Sequence, residues 1–282
     1  MKGIIRMQSQ QLFTFRNDGI YYHHTLTDKP IKNDFSFLSH AHNQIEFYYF
    51  ITGAAQFVIE GSIHLLVPGT LLIIDRNIVH NLLIYDEDAP YERIAVLIDP
   101  QLFPAGFDEI SRDLRTGYIY GQPSASRRDW LARSFSVVEH SQVGDAGMPA
   151  LIISLLSMIL AEFSRSRASS VSQEPKGDEL VLSIIRFINE HLTDDWDLND
   201  LQNALFRDKA YLNRRFRQIM GCSIWKYVTR KRVFNAQQQI IFSKSISYAF
   251  SHSGFNDYSS FYRSYKAYIG ISPTEDLRRR IP

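Results

Sequence analysis

Two groups of side chains in this sequence have types and spacings suited to chemistry, and the first lies between residues 40 and 80. His40, His42 and Glu46 are close together in the sequence, and His80 follows a later turn. Imidazole nitrogens and carboxylate oxygens bind divalent first-row metal ions, and they also hydrogen-bond polar organic molecules. Three interpretations are therefore open: a metal site, the lining of a ligand pocket, and structural hydrogen bonding. Of these we predict the pocket, with no metal ion and no cofactor.

Tyr48 and Arg93 extend this predicted pocket. A tyrosine hydroxyl and a guanidinium can bind the hydroxyl or carboxylate groups of a small molecule. Arg93 also follows Glu92, so a surface ion pair is an alternative explanation for this arginine. The predicted ligand-binding residues are His40, His42, Glu46, Tyr48, His80 and Arg93.

The second group consists of basic and polar side chains in the C-terminal part, where the sequence repeats with an offset of 49 residues. The matched pairs are Leu212 with Phe261, Arg214 with Arg263, Phe216 with Tyr265, Arg217 with Lys266, Gly221 with Gly270 and Ser223 with Ser272. Basic side chains at matched positions are suited to the phosphates of a nucleic acid. Two copies of a basic helix that ends at a glycine predict one function performed twice.

The charge distribution favours the same interpretation. The net charge is only +1, but residues 1–177 carry 15 basic and 19 acidic side chains, whereas residues 178–282 carry 16 and 11. Between Arg207 and Arg232 there are nine Lys or Arg against a single acid, Asp208. Clustered positive charge on one half of a nearly neutral chain is typical of a polyanion-binding domain, whereas a merely solvated face would mix the signs.

Capped amphipathic helices are the elements that must position these basic residues. Asp197 and Asp208 are predicted N-caps of two successive helices. In the first copy, the predicted buried face carries Leu212, Phe216 and Ile219, and the opposite face carries Ala210, Asn213, Arg214 and Arg217. In the second copy, the predicted buried face carries Phe261, Tyr265 and Tyr268, and the opposite face carries Ser259, Tyr262, Arg263 and Lys266. The segment from Ile224 to Phe242 has neither Pro nor Gly, so it predicts one connecting helix of roughly 28 Å. With its turns, this helix would place two recognition helices about one DNA turn (~34 Å) apart, in a double helix-turn-helix plan.

Short strands separated by turns must position the histidine group. From residue 34 to Pro100 the strands are spaced as in a small antiparallel barrel or jelly roll. Alternate residues of a strand lie on the same face of a sheet, so the side chains of the even-numbered residues from His40 to Phe50 are predicted to lie on one face. Two helices are predicted next, Ser126 to Ser141 and Met148 to Arg167. Because residues 151–160 are apolar on more than one side, we expect the second helix to pack on the barrel and against its copy in a homodimer, with an intradomain hairpin as the alternative.

Composition also predicts the domain boundaries and the compartment. A polar stretch containing Pro175 and Gly177 predicts a linker over residues 166–178, between a sensing and dimerisation domain (1–165) and a DNA-binding domain (179–282). The single cysteine, Cys222, argues against a disulfide framework. The N-terminus does not resemble a signal peptide, and residues 151–160 are too few to span a bilayer. We therefore expect a cytoplasmic protein without membrane contact.

The histidine segment carries a family resemblance. HAHNQIEFYYFITG (His40 to Gly53) is similar to the first cupin motif, and GTLLIIDRNIVH (Gly69 to His80) has the spacing of the second. In metal-binding cupins, the matching positions are metal ligands. In the sensor barrels of sugar-responsive regulators, similar positions line or brace an organic-ligand pocket without metal. The resemblance therefore implies a cupin-like sensor.

The repeat carries a second resemblance. YLNRRFRQIMGCSIWKYVTRKRVFNAQQQI and SISYAFSHSGFNDYSSFYRSYKAYIGISP resemble the two helix-turn-helix units of AraC/XylS-type regulators, whose hallmark is GF, a recognition helix, then GxSP. The resemblance implies a ligand-responsive, usually dimeric regulator, often an activator that contacts RNA polymerase. The family's base-contacting positions match Ala210, Asn213, Arg214, Tyr258, Ser259, Tyr262 and Arg263, while Lys209, Arg215, Arg217 and Lys266 are suited to phosphates.

The sequence departs from the family at Gln202 and Phe250, where a small residue is usual, and at Asp276, where a tyrosine is often found. From Asn213 and Arg214 we expect sharper base discrimination by the first unit, with the second acting as an anchor. The predicted fold class is an α+β two-domain protein, with an N-terminal antiparallel cupin-like β-barrel and helical hairpin and a C-terminal all-α double helix-turn-helix domain.

The predicted function is that of a non-enzymatic, ligand-responsive transcription regulator, more specifically an activator. Its expected partners are double-stranded DNA, a small effector such as a sugar, RNA polymerase and a second copy of the chain. The alternatives are a metal-dependent cupin enzyme with a DNA-binding appendage and a constitutive DNA-binding dimer.

Overall fold

A computed structural model of the chain describes residues 9–31, 40–104, 114, 117–166 and 176–280. The chain divides into two compact units: an N-terminal unit of residues 1–59 and 63–176, and a C-terminal unit of residues 60–62 and 177–282. No helix in the described ranges is both long enough and apolar enough to cross a membrane. Most of the predicted linker, residues 167–175, lies outside the described residues.

The N-terminal unit is built from antiparallel strands followed by two helices. The strands are β1 (Gln10–Asn17), β2 (Ile20–Thr27), β3 (Ile45–Thr52), β4 (Ala55–Ile59), β5 (Ser62–Leu65), β6 (Leu71–Ile74), β7 (His80–Ile84), β8 (Tyr91–Ile98) and β9 (Tyr118–Gly121). One sheet has the order β1–β2–β8–β3–β6–β9, and a second sheet contains β5, β4 and β7 in that order. Antiparallel pairing is therefore the rule, as the turn-rich sequence predicted.

Side-chain alternation along β3 divides the core of this unit in two. Ile45, Phe47 and Tyr49 point to one face and pack with the helices, whereas Tyr48 and Phe50 point to the other and pack with residues of the second sheet. A period of two is what a strand buried on both faces requires. The even-numbered face of β3 therefore looks into the space between the sheets.

The cupin-like antiparallel fold is confirmed, but its predicted barrel is not. In the described parts of the chain the strands form two separate sheets, and these do not close into one barrel. The prediction also began at residue 34 and so omitted the β1–β2 hairpin. Asp18-Gly19, at its turn, is a recognised hairpin sequence, and Gly19 has the positive φ (+80°) that such a turn needs.

The two predicted middle helices are present as α1 (Ala125–Glu139) and α2 (Met148–Ser166). Most of the apolar residues of α2 are buried within the N-terminal unit. Ile152, Leu156 and Ile159, for example, are fully buried against the first sheet. Met158 is the exception, at 51% exposed. Burial on its own sheet thus accounts for most of the apolar surface of this helix, and the homodimer stays a prediction.

The C-terminal unit is helical. The helices are α3 (Glu179–Glu190), α4 (Leu198–Leu205), α5 (Lys209–Met220), α6 (Ile224–Ser243), α7 (Ile246–Ser251), α8 (Tyr258–Ile269) and α9 (Pro273–Arg280). A two-residue strand, β10 (Lys176–Gly177), lies where the chain divides into its two units. The helical pairs α4–α5 and α7–α8 form the two helix-turn-helix units, and α6 is the continuous connecting helix that the sequence predicted.

Both predicted N-caps are confirmed. The Asp197 carboxylate accepts from the N–H groups of Asn199 and Asp200, and the Asp208 carboxylate accepts from those of Ala210 and Tyr211. These bonds satisfy backbone donors that have no partner inside a helix. The starts of α4 and α5 are therefore fixed by local sequence alone.

Candidate functional site

Helix α5 presents a basic face outward because its other face is buried. Leu212, Phe216 and Met220 are fully buried in the C-terminal unit, so Met220 replaces the expected Ile219 at the end of the inward stripe. The exposed side chains on the opposite face include Lys209, Ala210, Arg214 and Arg217. A capped helix with exposed cations on one face has the form required to enter a DNA groove.

Asn213 is held differently from the other predicted base-contacting residues of α5. It is half-buried, and its side-chain oxygen accepts a 3.0 Å hydrogen bond from the backbone N–H of Ile224, at the start of α6. The Arg214 guanidinium, by contrast, lies on the exposed face, 5.6 Å from the centre of the Tyr211 ring. In this structure, the Asn213 side chain therefore links the recognition helix α5 to the connecting helix α6 through a hydrogen bond.

Several of the basic residues counted in the sequence serve the fold of the C-terminal unit. Arg215, which was expected to be suited to phosphate, donates from Nε to Asp178 at 2.7 Å and so pairs with the N-cap of α3. Arg232 donates to the backbone oxygens of Leu192 and Asp194, at 2.8 Å each. Arg230 is only 4% exposed. The surface charge available to a polyanion is therefore smaller than the composition suggested.

Helix α8 repeats the plan of α5 with a different surface. Asp257 caps it by accepting from the Ser260 N–H at 2.7 Å, and the hydrogen bonds from the backbone and side chain of Ser260 lower the pKa of the Asp257 carboxyl. Phe261 and Tyr265 are buried. The exposed residues on the opposite face are Tyr258, Ser259, Tyr262, Arg263 and Lys266. All of the residues predicted for this face are thus accessible.

Phe250, one of the departures from the family pattern, lies under this surface. Its ring makes an edge contact with Tyr258 at 5.5 Å and packs against Phe261 at 5.6 Å, both measured between ring centres. A large residue on α7 therefore supports the first turn of α8. Its contacts explain how the unit accommodates Phe250 at a position where a small side chain is usual.

The histidine group converges at one end of the N-terminal unit. His40 and His80 form an isolated antiparallel bridge, in which the backbone N–H of each donates to the oxygen of the other at 2.9 and 3.0 Å. The ligand atoms of His40, His42, Glu46 and His80 all lie within 4.8 Å of one another. His40 and His42 precede β3 and do not belong to it, so the bridge brings them together, and strand parity does not.

Glu46 is at the centre of this group. Its Oε2 lies 3.2 Å from His42 Nε2 and 3.0 Å from His80 Nε2. Burial by itself would raise the pKa of the Glu46 carboxyl, but the two adjacent imidazoles outweigh burial and hold this pKa well below its usual range. Glu46 is therefore an anion in the interior of the unit.

His40, His42 and Glu46 line a cavity of about 240 Å³ between the two sheets. The predicted residues Tyr48 and Arg93 line it as well, and the Tyr48 and Tyr91 hydroxyls hydrogen-bond to each other. The Arg93 guanidinium lies 5.9 Å from the Tyr48 ring centre and 5.8 Å from that of Tyr91. Five of the six predicted pocket residues thus line the cavity, and His80, which is not among the lining residues, contacts one of them, since its Nε2 lies 3.0 Å from Glu46 Oε2.

Sequence reasoning missed several residues that line this cavity. They are His23, Phe57, Tyr91, Leu82 and Leu97. His23 belongs to the omitted β1–β2 hairpin, and burial together with the charge of Arg93 lowers the pKa of its imidazole to about 4. Recognition of the Asp18-Gly19 turn would have placed His23 on a strand, although it would not have shown that this strand borders the pocket.

Comparison with known proteins assigns the region of the N-terminal pocket and the helix-turn-helix region to one family. Residues 31–156 match the model of the AraC-like ligand binding domain, and residues 201–279 match a helix-turn-helix domain model. The chain is 30% identical over 97 residues to the HTH-type transcriptional activator AarP of Providencia stuartii, a match that covers 34% of this chain and 71% of AarP. The chain belongs to the AraC family of transcription regulators. This AraC-family protein is therefore a ligand-responsive regulator that binds specific DNA sequences.

Other relatives match over smaller shares of their length. The Msm operon regulatory protein of Streptococcus mutans is 25% identical over 136 residues, which cover 48% of each protein. The transcriptional regulatory protein YesN of Bacillus subtilis is 28% identical over 120 residues, and the chain spans 32% of it. The structure of ToxT from Vibrio cholerae aligns with 92% of this chain and 98% of ToxT, at 12% identity and a TM-score of 0.37.

Proposed function

We propose that this AraC-family regulator is a cytoplasmic homodimeric activator that reads two successive major grooves with α5 and α8. The observation that carries the proposal is the pair of exposed basic faces on two capped helices, separated in sequence by the continuous helix α6. Twenty residues of α6 span about 30 Å at ~1.5 Å per residue, close to one turn of DNA. One chain then contacts two half-sites on the same side of the duplex.

The exposed residues divide by chemistry into two roles. Arg214 and Arg263 are placed to contact guanine edges, and Ser259 and Tyr262 extend the base-contacting surface of α8. Lys209, Arg217 and Lys266 are placed to bind phosphates and fix the register. Ala210 contributes a methyl group to a thymine methyl. Tyr258 supports α8 through its packing on Phe250.

A small molecule in the cavity between the two sheets is the proposed effector, and transcription changes when it binds the regulator. The exposed Met158, together with Trp130 on α1, offers apolar surface for a second copy of the chain. RNA polymerase is the proposed target of activation. No catalytic step is part of this proposal, because the relatives are regulators and the two matched domains bind ligand and DNA.

The test measures the affinity of single variants for a promoter fragment selected with the wild-type chain. Arg214→Ala and Arg263→Ala should each weaken binding by about 5- to 150-fold, the equivalent of ~1–3 kcal/mol for a lost base contact. Arg278→Ala, which removes an exposed cation from α9 in the same unit, is the matched control and should change affinity little. Wild-type affinity and specificity in both test variants would refute the proposed interface.

A further inference from the structure

Arg214, on which the proposed interface of the first unit depends, is held by a ring of its own helix. Its guanidinium carbon lies 5.6 Å from the centre of the Tyr211 ring. Residues three positions apart are neighbours on the surface of a helix. An aromatic face attracts a guanidinium at this distance through the charge distribution of its π electrons. The stack therefore favours one arrangement of a side chain that otherwise has many.

The backbone of Tyr211 is fixed in the first turn of α5. Its N–H donates to the Asp208 carboxylate at 3.0 Å, and the next residue, Leu212, is fully buried. The Tyr211 side chain is 40% exposed, so it lies at the protein surface and not in the core. Tyr211 is therefore a fixed support for the longer and more flexible arginine side chain.

A guanidinium can stack on a ring and donate hydrogen bonds at the same time, because the two contacts use different parts of the group. Its flat face packs on the ring, whereas its five N–H donors point outward in the plane of the group. Within the described ranges, Arg214 makes no hydrogen bond or ion pair, so the ring holds it without engaging a donor. Its donors thus remain for the two acceptors of a guanine edge.

The matched arginine of the second unit, Arg263, is held in a different way. Three positions before it, where the first unit has Tyr211, the second unit has Ser260. Arg263 Nη2 donates to the Ser260 hydroxyl oxygen at 3.3 Å, which is longer than usual for an N–H···O hydrogen bond. One donor of Arg263 is therefore engaged with the protein. The ring in the first unit leaves the donors free, and the hydroxyl group in the second does not.

We propose that Tyr211 is a positioning residue for base recognition, which holds Arg214 in the orientation that reaches a guanine edge and does not itself contact a base. This inference rests on the proposed function, since it assumes that Arg214 contacts DNA. A side chain that is ordered before binding loses less conformational entropy in the complex. Tyr211 should therefore affect the discrimination between bases that Arg214 provides, and not the general attraction to phosphates.

The first experiment compares Tyr211→Leu with Tyr211→Phe in the full chain, on the promoter fragment selected with the wild type. Leucine is well suited to a helix but has no ring, whereas phenylalanine keeps the ring without the hydroxyl group. Tyr211→Leu should weaken binding about 2- to 5-fold, the size of an exposed cation–π contact, and Tyr211→Phe should restore the lost affinity. Thermal unfolding shows whether each variant is folded, and Tyr211→Gln, which also lacks a ring, replaces an unstable Tyr211→Leu.

The second experiment repeats the leucine substitution in a chain that lacks the arginine. When Tyr211→Leu is added to Arg214→Ala, affinity should not fall further, because no guanidinium is left to position. Tyr211→Leu should lose discrimination at the same base pair as Arg214→Ala does. The dependence of affinity on salt should be the same for Tyr211→Leu and the wild type, because no phosphate contact is removed. A merely structural role would not give this base-specific loss.

Three results would overturn the inference. One is a Tyr211→Leu chain with wild-type affinity and discrimination. Another is a loss of affinity in Tyr211→Phe as large as that in Tyr211→Leu, because the hydroxyl group would then be responsible. The third is an equal loss with and without Arg214, which would mean that Tyr211 contacts DNA or supports the helix by itself.

Arg214→Ala separates this inference from the proposed function. If Arg214→Ala weakens binding but Tyr211→Leu does not, the inference fails and the proposed interface stands. If Arg214→Ala and Arg263→Ala both bind like the wild type, the proposed function fails, and the inference fails with it.

Discussion

The two helix-turn-helix units share one backbone plan but present different surfaces. The first surrounds its recognition helix with exposed cations, namely Arg207, Lys209, Arg214 and Arg217, whereas the second combines Arg263 and Lys266 with the exposed rings of Tyr258 and Tyr262. Charge draws a helix to DNA without regard to sequence, and directional polar groups discriminate between bases. The duplicated fold therefore does not imply duplicated chemistry, and sharper base discrimination by the first unit stays a prediction.

The interiors differ as well. In the second unit the buried Asp276 carboxylate accepts from the Tyr265 hydroxyl at 2.6 Å and from Gln237 Nε2 at 2.9 Å, which joins α9 to α8 and α6. The residue that matches Tyr265 in the first unit is Phe216, which is fully buried and has no hydroxyl group to donate. Asp276, a departure from the family pattern, thus has a structural explanation as the centre of a buried polar network.

The largest effect on stability should come from breaking this network. Asp276→Ala leaves the Tyr265 hydroxyl and the Gln237 amide without this acceptor, which should lower the free energy of unfolding by roughly 1–3 kcal/mol. Chemical denaturation of the full chain measures the change, and Glu275→Ala, at an exposed neighbouring position, is the control. A loss no larger than that of the control would mean that apolar packing alone holds the second unit.

Asn213 and Tyr262 occupy equivalent positions in the repeat and should respond in opposite ways. Asn213→Ala removes the acceptor of the Ile224 N–H and should cost about 1 kcal/mol of stability, as other lost caps do. Tyr262→Ala removes an exposed side chain, so it should change stability by less than ~0.5 kcal/mol while weakening DNA binding. Thermal unfolding and promoter affinity, measured on both variants, give the comparison.

Asn213→Asp sharpens this comparison, because aspartate keeps an oxygen that can accept from Ile224. It should retain most of the stability lost in Asn213→Ala. If Asn213→Ala is as stable as the wild type and loses discrimination at a single base pair, then Asn213 contacts DNA in the way that the family resemblance implied.

The turns between the paired helices give the last comparison. Phe206, between α4 and α5, is 84% exposed and has a left-handed backbone with φ of +52°, whereas in the turn of the second unit the positive φ (+84°) is at Gly254, which the offset of 49 matches to Leu205. Phe206→Gly should therefore stabilise the first unit by roughly 0.5–1 kcal/mol, because glycine adopts this conformation without steric cost. Gly254→Ala should do the reverse, since its Cβ would lie 2.6 Å from the Leu192 oxygen. Denaturation midpoints that move the other way would contradict this account of the turns.

Local features of the C-terminal unit were predictable from the sequence. The caps Asp197 and Asp208 and the continuous helix α6 follow from residues that are near neighbours in the chain. Long-range pairings were not predictable. The Arg215–Asp178 ion pair and the Asn213–Ile224 bond depend on how helices pack, and no periodicity encodes that.

The pocket shows the same division. The even-numbered face of β3 was predicted by alternation, and Glu46 and Tyr48 do lie on it. His40 and His42 are outside the strand, and they reach Glu46 because the backbone bridge to His80 brings them there. The resemblance to cupin motifs correctly grouped these residues, whereas strand parity grouped them for the wrong physical reason.

Hydroxyl-radical footprinting of the wild-type chain on its selected promoter fragment tests the central claim most directly. If α5 and α8 both enter the major groove, one chain should protect two segments about one helical turn (~10.5 base pairs) apart on the same side of the duplex. Arg214→Ala should weaken protection of one segment, and Arg263→Ala should weaken protection of the other. A single protected segment that responds to only one of these substitutions would contradict the two-helix interface.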